Sequence, residues 1–313
     1  MLFGICYLGF HAVNELSTKQ IPSGVKPKTG PLGQDYLLCN LIIMHLKRWI
    51  TALVVIPFLV LLIGIGGTLL LTVVVNVICI MALWEYFRIV LNKDQKNTAT
   101  SFQILALFTG SAILWSAYFH SLNIVLDIIV LNVVISTLIS LPKFKSDSSV
   151  WEIVFKQVVG IIYIPLFLSY IVLIRNKDNG VLWIFLLLTV VFMGDTGAYY
   201  LGSYFGQHKL CPAVSPNKTI EGALGGLAAS LGSGALIKTF FLPLLPWGLS
   251  LLFFLSIGMA GQVGDLFESQ IKRVAHIKDS GAILPGHGGV LDRIDALLFA
   301  APVAYIFKEY LLP

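Results

Sequence analysis

Charge is scarce in this chain: of 313 residues only 12% are Asp, Glu, Lys or Arg and 57% are hydrophobic, against roughly 25% charged in an ordinary soluble domain. With a mean hydropathy of +0.87, that deficit excludes a water-soluble globule. Cysteine is scarce as well. Cys6, Cys39, Cys79 and Cys211 are widely scattered and form no C-x-x-C pair, so neither a disulfide framework nor a zinc framework is indicated. A Walker A loop, an H-E-x-x-H helix and a G-x-S-x-G elbow are all missing, which sets aside the chemistry those motifs carry. Six histidines occur without metal-ligand spacing. No internal repeat supports an inverted-repeat transporter.

What is present is a succession of continuous apolar runs of about 17 to 25 residues, each long enough for a hydrocarbon layer of about 30 Å. Lipid cannot satisfy backbone polar groups, and the runs do not alternate as barrel strands do, so the spans are expected to be helices. The expected fold is an all-α polytopic membrane bundle of about nine transmembrane helices. They are placed near Ile50–Gly66, Thr68–Val90, Phe102–Phe119, Leu122–Leu141, Val150–Ile174, Val181–Leu201, Ile220–Phe241, Trp247–Asp265 and Val290–Leu312. With the segment before Trp49 inside, one set of loops collects Lys47, Arg48, Arg88, Lys93, Lys96, Lys143, Lys145, Lys209, Lys218, Lys272, Arg273 and Lys278. The opposite loops hold few cations, Arg175 and Lys177 being the exceptions. The positive-inside rule then predicts a cytoplasmic N-terminus.

Residues 1–43 read differently. Met1–Phe10 is apolar but too short to span, and His11–Asp35 is polar with Gly and Pro. A secretory signal is not expected, because no basic start precedes the apolar stretch. Met44, followed by Lys47 and Arg48, would be a natural start for a span anchored inside. Residues 1–43 are therefore expected to be an extension outside the native protein, and 44–313 the membrane-embedded domain.

Nine of the 37 charged residues lie between Asp265 and Asp295. Asp265, Glu268, Ser269 and Lys272 fall at i, i+3, i+4 and i+7, on one face of the helix ending the eighth span. Acids beside a membrane span are costly unless paired, hydrated or bound to metal, so their default reading is functional. A solvated helix end with internal ion pairs is the plainer alternative. The segment Ser280–Gly289 contains Gly281, Pro285, Gly286, Gly288 and Gly289, too glycine-rich for helix and too polar in backbone to face lipid. Its N–H groups and the start of the next helix can cradle phosphate oxygens. His287 and Arg293 add donors. Asp292 and Asp295 share the first helical turn, and carboxylates beside a phosphate site call for a divalent cation, with oxygen donors favouring Mg²⁺. An ordinary glycine turn with Asp292 as an N-terminal helix charge would explain the same letters.

A second inner loop reads Ser215, Pro216, Asn217, Lys218, Thr219, Ile220, Glu221, Gly222. Ser215 before Pro216 predicts an N-cap with proline at the first helical position. Lys218 and Thr219 can meet a phosphate or a lipid headgroup, although plain capping accounts for them equally. Gly222 and Gly226 stand at G-x-x-x-G spacing, which predicts close helix packing. In Gly194–Tyr200, Asp195 is an intramembrane acid for which a partner is expected, Lys218 or Arg273.

The run from Ser269 through Lys272, Arg273, Lys278, Asp279, His287, Gly288, Gly289, Asp292, Arg293 and Asp295 closely resembles the signature of the CDP-diacylglycerol synthase, or phosphatidate cytidylyltransferase, family. The S-P-N-K-T-x-E-G and G-D-T-G-A-Y stretches resemble two further motifs of that family, and the likeness covers roughly Met44–Leu312. Asn217 stands where the family often has lysine. The resemblance implies condensation of CTP with phosphatidic acid at the inner membrane face, releasing pyrophosphate. It implies a catalytic group of Asp265, Lys272, Arg273, Lys278, Asp292, Arg293 and Asp295. Substrate contacts would fall to Asp195, Ser215, Lys218, Thr219, His287, Gly288 and Gly289. Mg²⁺ would be held by Asp265 and Asp292 with Ser269 as a further ligand, and K⁺ is a candidate second cation. Membrane lipid and a second copy in a homodimer are the implied partners; nucleic acid is not. A bacterial inner membrane suits such a chain. A CTP-dependent polyprenol kinase is the alternative within the enzyme class, and a transporter, channel or membrane scaffold the alternative outside it.

Overall fold

The computed structural model describes residues 57–92, 94–145, 147–277, 280–281 and 288–312. Residues 57–64 are helical. Nine further helices follow: α1 (Gly67–Val90), α2 (Lys96–Tyr118), α3 (Leu122–Phe144), α4 (Val150–Ile161), α5 (Phe167–Arg175), α6 (Gly180–Phe205), α7 (Ile220–Phe241), α8 (Trp247–Val274) and α9 (Leu291–Ile306). A short hairpin of β1 (Lys209–Cys211) and β2 (Ser215–Thr219) joins α6 to α7, its strands antiparallel. The all-α expectation thus holds, with this hairpin as its single strand pair among the described residues.

Seven stretches among the described residues are long and apolar enough, by length and composition, to cross a bilayer. One of them, 150–175, is α4 and α5 joined by a π-helical turn, Ile162–Leu166. Pro165 lies in that turn, where the wider winding accommodates a residue that has no N–H to give. The helix expected from Val290 runs as α9 to Ile306 and then as a second π-helical turn, Phe307–Leu311. Of the first expected span only 57 onward is described, and the expectation for residues 1–43 lies outside the described residues.

Polar side chains inside the bundle find one another. Asn132 on α3 donates to Thr109 on α2 at 2.9 Å, Gln157 on α4 donates to Asn132 at 3.1 Å, and Ser136 donates to Gln157 at 3.1 Å. In lipid such bonds tie helices together, since no water competes for them.

The α6–α7 pair is the closest in the molecule, because small residues face each other along both helices. A Cβ placed on Gly226 would lie 2.9 Å from the Gly194 carbonyl oxygen, and one on Gly222 2.9 Å from that of Ala198. The G-x-x-x-G spacing therefore serves helix contact, as its pattern predicts. Ser230 donates to the Val190 carbonyl at 3.0 Å across the same seam, and Gln262 of α8 donates to the Ala223 carbonyl at 2.9 Å. This packing brings α6, α7 and α8 together around Asp195 and Asp265.

One expectation is corrected here. Ser215 is not the cap of α7, because Ser215–Thr219 is extended and paired with β1. The cap is Thr219, with extended backbone and a hydroxyl that accepts from Gly222 N–H at 3.1 Å. Pro216 sits in a two-stranded ribbon, where a missing N–H costs little. The β-branched Thr219 suits both the strand it ends and the helix it begins.

Candidate active site

The C-terminal ends of α1, α6 and α8 and the N-terminal ends of α7 and α9 meet at one end of the bundle, and the charged residues gather there. Lys218, the residue before the α7 cap, reaches across to Asp265 on α8, Nζ to Oδ2 at 2.6 Å. Ser269 lies one turn further along α8, its hydroxyl 3.5 Å from Asp265 Oδ1. Lys272, a turn further again, pairs with Glu268 below it and with Asp292 on α9, the latter at 2.7 Å. Glu268 is only 1% exposed, so its pairing with Lys272 is what makes its burial tolerable.

The remaining acids face the same place. Asp195, Asp292, Asp295 and Arg293 line a cleft of about 170 Å³ between α6 and α9. Asp195 on α6 and Asp295 on α9 thus face each other across this cleft. The helices come close at this level: a Cβ on Gly264 would fall 2.4 Å from the Asp295 carbonyl oxygen. Asp265 and Asp292 belong to separate helices, and each is paired with a lysine, Lys218 and Lys272 respectively.

The described ends of the glycine-rich segment, 280–281 and 288–289, meet the protein's own acids. Asp292 accepts from Ser280 N–H at 3.0 Å and from Gly289 N–H at 2.9 Å. Val290 and Leu291 N–H donate to Glu85 of α1, at 3.0 and 2.9 Å. These N–H groups are thus satisfied by two of the protein's own carboxylates, for the same reason that a phosphate would suit them: helix-start donors and a positive dipole end favour an anion. Gly289 N–H, expected to meet phosphate, donates to Asp292 in this structure, and Gly288 has φ +83°, a conformation that favours glycine. Lys278 and His287 lie outside the described residues.

Arg273 is likewise engaged elsewhere. It donates to the Val214 carbonyl at 3.0 Å and to the Ile277 carbonyl at 3.1 Å, fastening the hairpin to the end of α8. Thr219 acts as the cap described above. Glu221 accepts from the N–H groups of Gln207 and His208 and meets the His208 ring nitrogen at 2.6 Å, which closes the base of the hairpin below Lys218.

Glu85 is a buried acid at this end of the bundle that sequence reading did not single out. It is the one acid in the apolar stretch Thr68–Val90, and the rule that isolated intramembrane acids carry a role already pointed to it.

Asp265 and Ser269 are oxygen donors of the kind that magnesium takes, 3.5 Å apart on α8, and Lys218 is the amine already paired with Asp265. Magnesium is ordinarily held by one or two carboxylates together with substrate phosphates. Among the described residues no group of three or more His, Cys, Asp or Glu side chains is placed to hold a metal ion, so one or two carboxylates would have to share it with substrate phosphates. Asp292 is the poorer donor, because both its oxygens already accept from Lys272, Ser280 or Gly289.

Carboxylates and amines drawn from several spanning helices into one cleft define an integral membrane enzyme with a charged site at one end of its bundle. Residues 46–311 match the cytidylyltransferase family, and the chain belongs to it. The phosphatidate cytidylyltransferase of Thermotoga maritima is 34% identical over 274 residues, which are 84% of this chain and 96% of that protein. The phosphatidate cytidylyltransferase of Bacillus subtilis is 43% identical over 145 residues, 46% of this chain and 54% of the relative. That of Staphylococcus haemolyticus is 46% identical over 132 residues, 42% and 50%. The chain thus spans about half the length of the Bacillus and Staphylococcus relatives it matches and nearly all of the Thermotoga one.

Proposed function

We propose that this protein transfers the cytidylyl group of CTP to phosphatidic acid, giving CDP-diacylglycerol and pyrophosphate, for phospholipid synthesis. The observation that carries the reading is the pairing of Lys218 with Asp265 and of Lys272 with Asp292, which ties three segments, β2, α8 and α9, together within a chain of the cytidylyltransferase family. One substrate is fixed in the bilayer up to its phosphate and the other is a soluble polyanion. A site at a helix-bundle end, with amines that can trade a carboxylate for a phosphate, serves both.

An oxygen of the lipid phosphate attacks the α-phosphorus, the bond from that phosphorus to the bridging oxygen breaks, and pyrophosphate leaves in line. The attacking phosphate is already ionised at neutral pH, so little general-base help is required. Lys218 and Lys272 bind phosphate oxygens and offset their charge, while the packed helices hold the two anions in register. Asp265 and Ser269 would hold magnesium together with the nucleotide phosphates, and the ion would supply charge neutralisation there. Binding through Asp292 as well requires Lys272 to leave it for a phosphate. A potassium ion as second cation, membrane lipid and a second copy of the chain as partners, and a site on the cytoplasmic side of a bacterial inner membrane complete the proposal.

The test is incubation of the purified protein with phosphatidic acid, Mg²⁺ and CTP labelled at the α- or the γ-phosphate, with the lipid product identified by mass. Label from the α position in a lipid of CDP-diacylglycerol mass supports the reading. Label from the γ position alone identifies a lipid kinase instead.

A further inference from the structure

Glu85 is fully buried, as is Ser280, whose hydroxyl donates to Glu85 Oε2 at 3.1 Å. The same carboxylate accepts from Val290 and Leu291 N–H, so it touches the residues on both sides of the glycine-rich segment. One turn further along α1, Arg88 donates to the Ser280 carbonyl at 3.2 Å. Ser280 N–H in turn reaches Asp292, and Asp292 holds Lys272. A continuous chain of bonds therefore runs from α1, which bears none of the expected site residues, to the charged pair between α8 and α9.

The flanking glycines are explained by this carboxylate. A Cβ on Gly281 would sit 2.3 Å from Glu85 Oε1, and one on Gly289 would sit 1.9 Å from Ser280 Oγ and 2.6 Å from Glu85 Oε2. Any side chain at either position would push Glu85 out of its bonds. An unpaired carboxylate in such a place is costly; accepting from two backbone N–H groups and a hydroxyl makes it stable and rigid.

We propose that Glu85 is a positioning residue: from α1 its carboxylate clasps Ser280 to the start of α9, and so sets Asp292 and Lys272 for the substrates. This rests on the reaction proposed above, with Lys272 as a phosphate-binding amine. Glutamine at position 85 keeps the size but offers one accepting atom in place of two, so Val290 or Leu291 N–H loses its partner. Alanine at Gly281 displaces the carboxylate without altering it.

The experiment combines steady-state kinetics, per monodisperse folded molecule in detergent, with hydrogen–deuterium exchange of peptides covering 288–291. Glu85→Gln and Gly281→Ala are each expected to lower kcat about 10- to 100-fold, the scale on which misplaced catalytic groups cost rate, and to speed exchange at 288–291. In the Glu85→Ala background, Gly281→Ala should add almost no further loss, because the clash it creates is with Glu85 alone. Ser280→Ala, which removes one bond and is the variant least disturbing to folding, should give a smaller loss of kcat in the same direction. Unchanged kcat and exchange in Glu85→Gln, or fully multiplicative losses in the double variant, overturn the proposal. A purely structural Glu85 would lower the yield of folded protein and leave kcat per folded molecule intact, which also overturns it. Absence of product from the wild type would count against the proposed reaction, whereas the exchange measurement still decides the clasp.

Discussion

Asp265 and Lys218 show how much depends on single side chains. Their 2.6 Å pair joins the hairpin to α8, as the Arg273 bond to the Val214 carbonyl also does, and each partner is proposed to turn to a different component of the bound complex. Asp265→Asn removes charge but not volume, so the fold should persist while turnover falls by at least about 100-fold, as when a key electrostatic group is lost. Steady-state assay beside a size-exclusion trace checks this, and near-normal turnover would remove Asp265 from the cation site. Lys218→Ala should mainly raise KM for CTP or lipid, with kcat less affected. Unchanged KM for both would leave Lys218 as no more than a partner for Asp265.

These acids were legible in the sequence because membrane interiors make every unneeded charge costly, so their presence is informative. Ser269 stands within 3.5 Å of Asp265 as the i, i+4 spacing implied, whereas the pairing of Lys272 with Asp292 joins two helices and was not written in that spacing. The roles of Ser215, Thr219 and Arg273 were less legible. Whether a hydroxyl caps a helix or meets a ligand depends on backbone angles at one residue, and letters alone do not carry those angles.

At the scale of elements, the α6–α7 seam fixes where Asp195 stands relative to α8. Gly226→Val would place branched carbon against the Gly194 carbonyl and Gln262, 2.9 Å from each at the Cβ alone. Overpacking of this kind typically costs about 1–3 kcal/mol, so a lower thermal midpoint in detergent is expected, with activity lost in parallel. Thr219→Val keeps the shape of the cap but removes the acceptor for Gly222 N–H. A loss of about 1 kcal/mol is expected, the usual worth of an N-cap, and thermal unfolding of the purified variant measures it. Small-residue spacing was readable in advance. The hairpin was not, because a five-residue strand at the mouth of a helix has too few residues for its period to show against the apolar runs on either side.

At the scale of the whole molecule the two ends of the bundle are built for different purposes. The site end concentrates acids and amines, whereas at the opposite end, among the described residues, Asn176 donates to the Ala117 carbonyl at 3.0 Å and Lys177 pairs with Glu309 at 2.6 Å. The bond to Glu309 holds the Lys177 ammonium above its usual range. Because the folded pKa exceeds the unfolded one, the pair's contribution is complete at neutral pH and fades as pH climbs beyond the ordinary lysine value of about 10.4. Lys177→Met should therefore lower the thermal midpoint slightly at pH 7, by the small amount that partly exposed pairs contribute, under about 1 kcal/mol. The gap from wild type should close above the lysine range, and a gap that widens with pH would contradict the assignment.

Hydropathy alone determined that the chain crosses a bilayer as helices, since lipid leaves the backbone no other way to satisfy itself. Charge density along the sequence located the chemistry near Asp265–Asp295 for the same energetic reason. Only the tertiary structure decided which anion occupies the start of α9. Glu85 lies 205 positions before Val290, and hydrogen bonding between residues so far apart follows from how helices pack, a property of surfaces in three dimensions that no local spacing encodes.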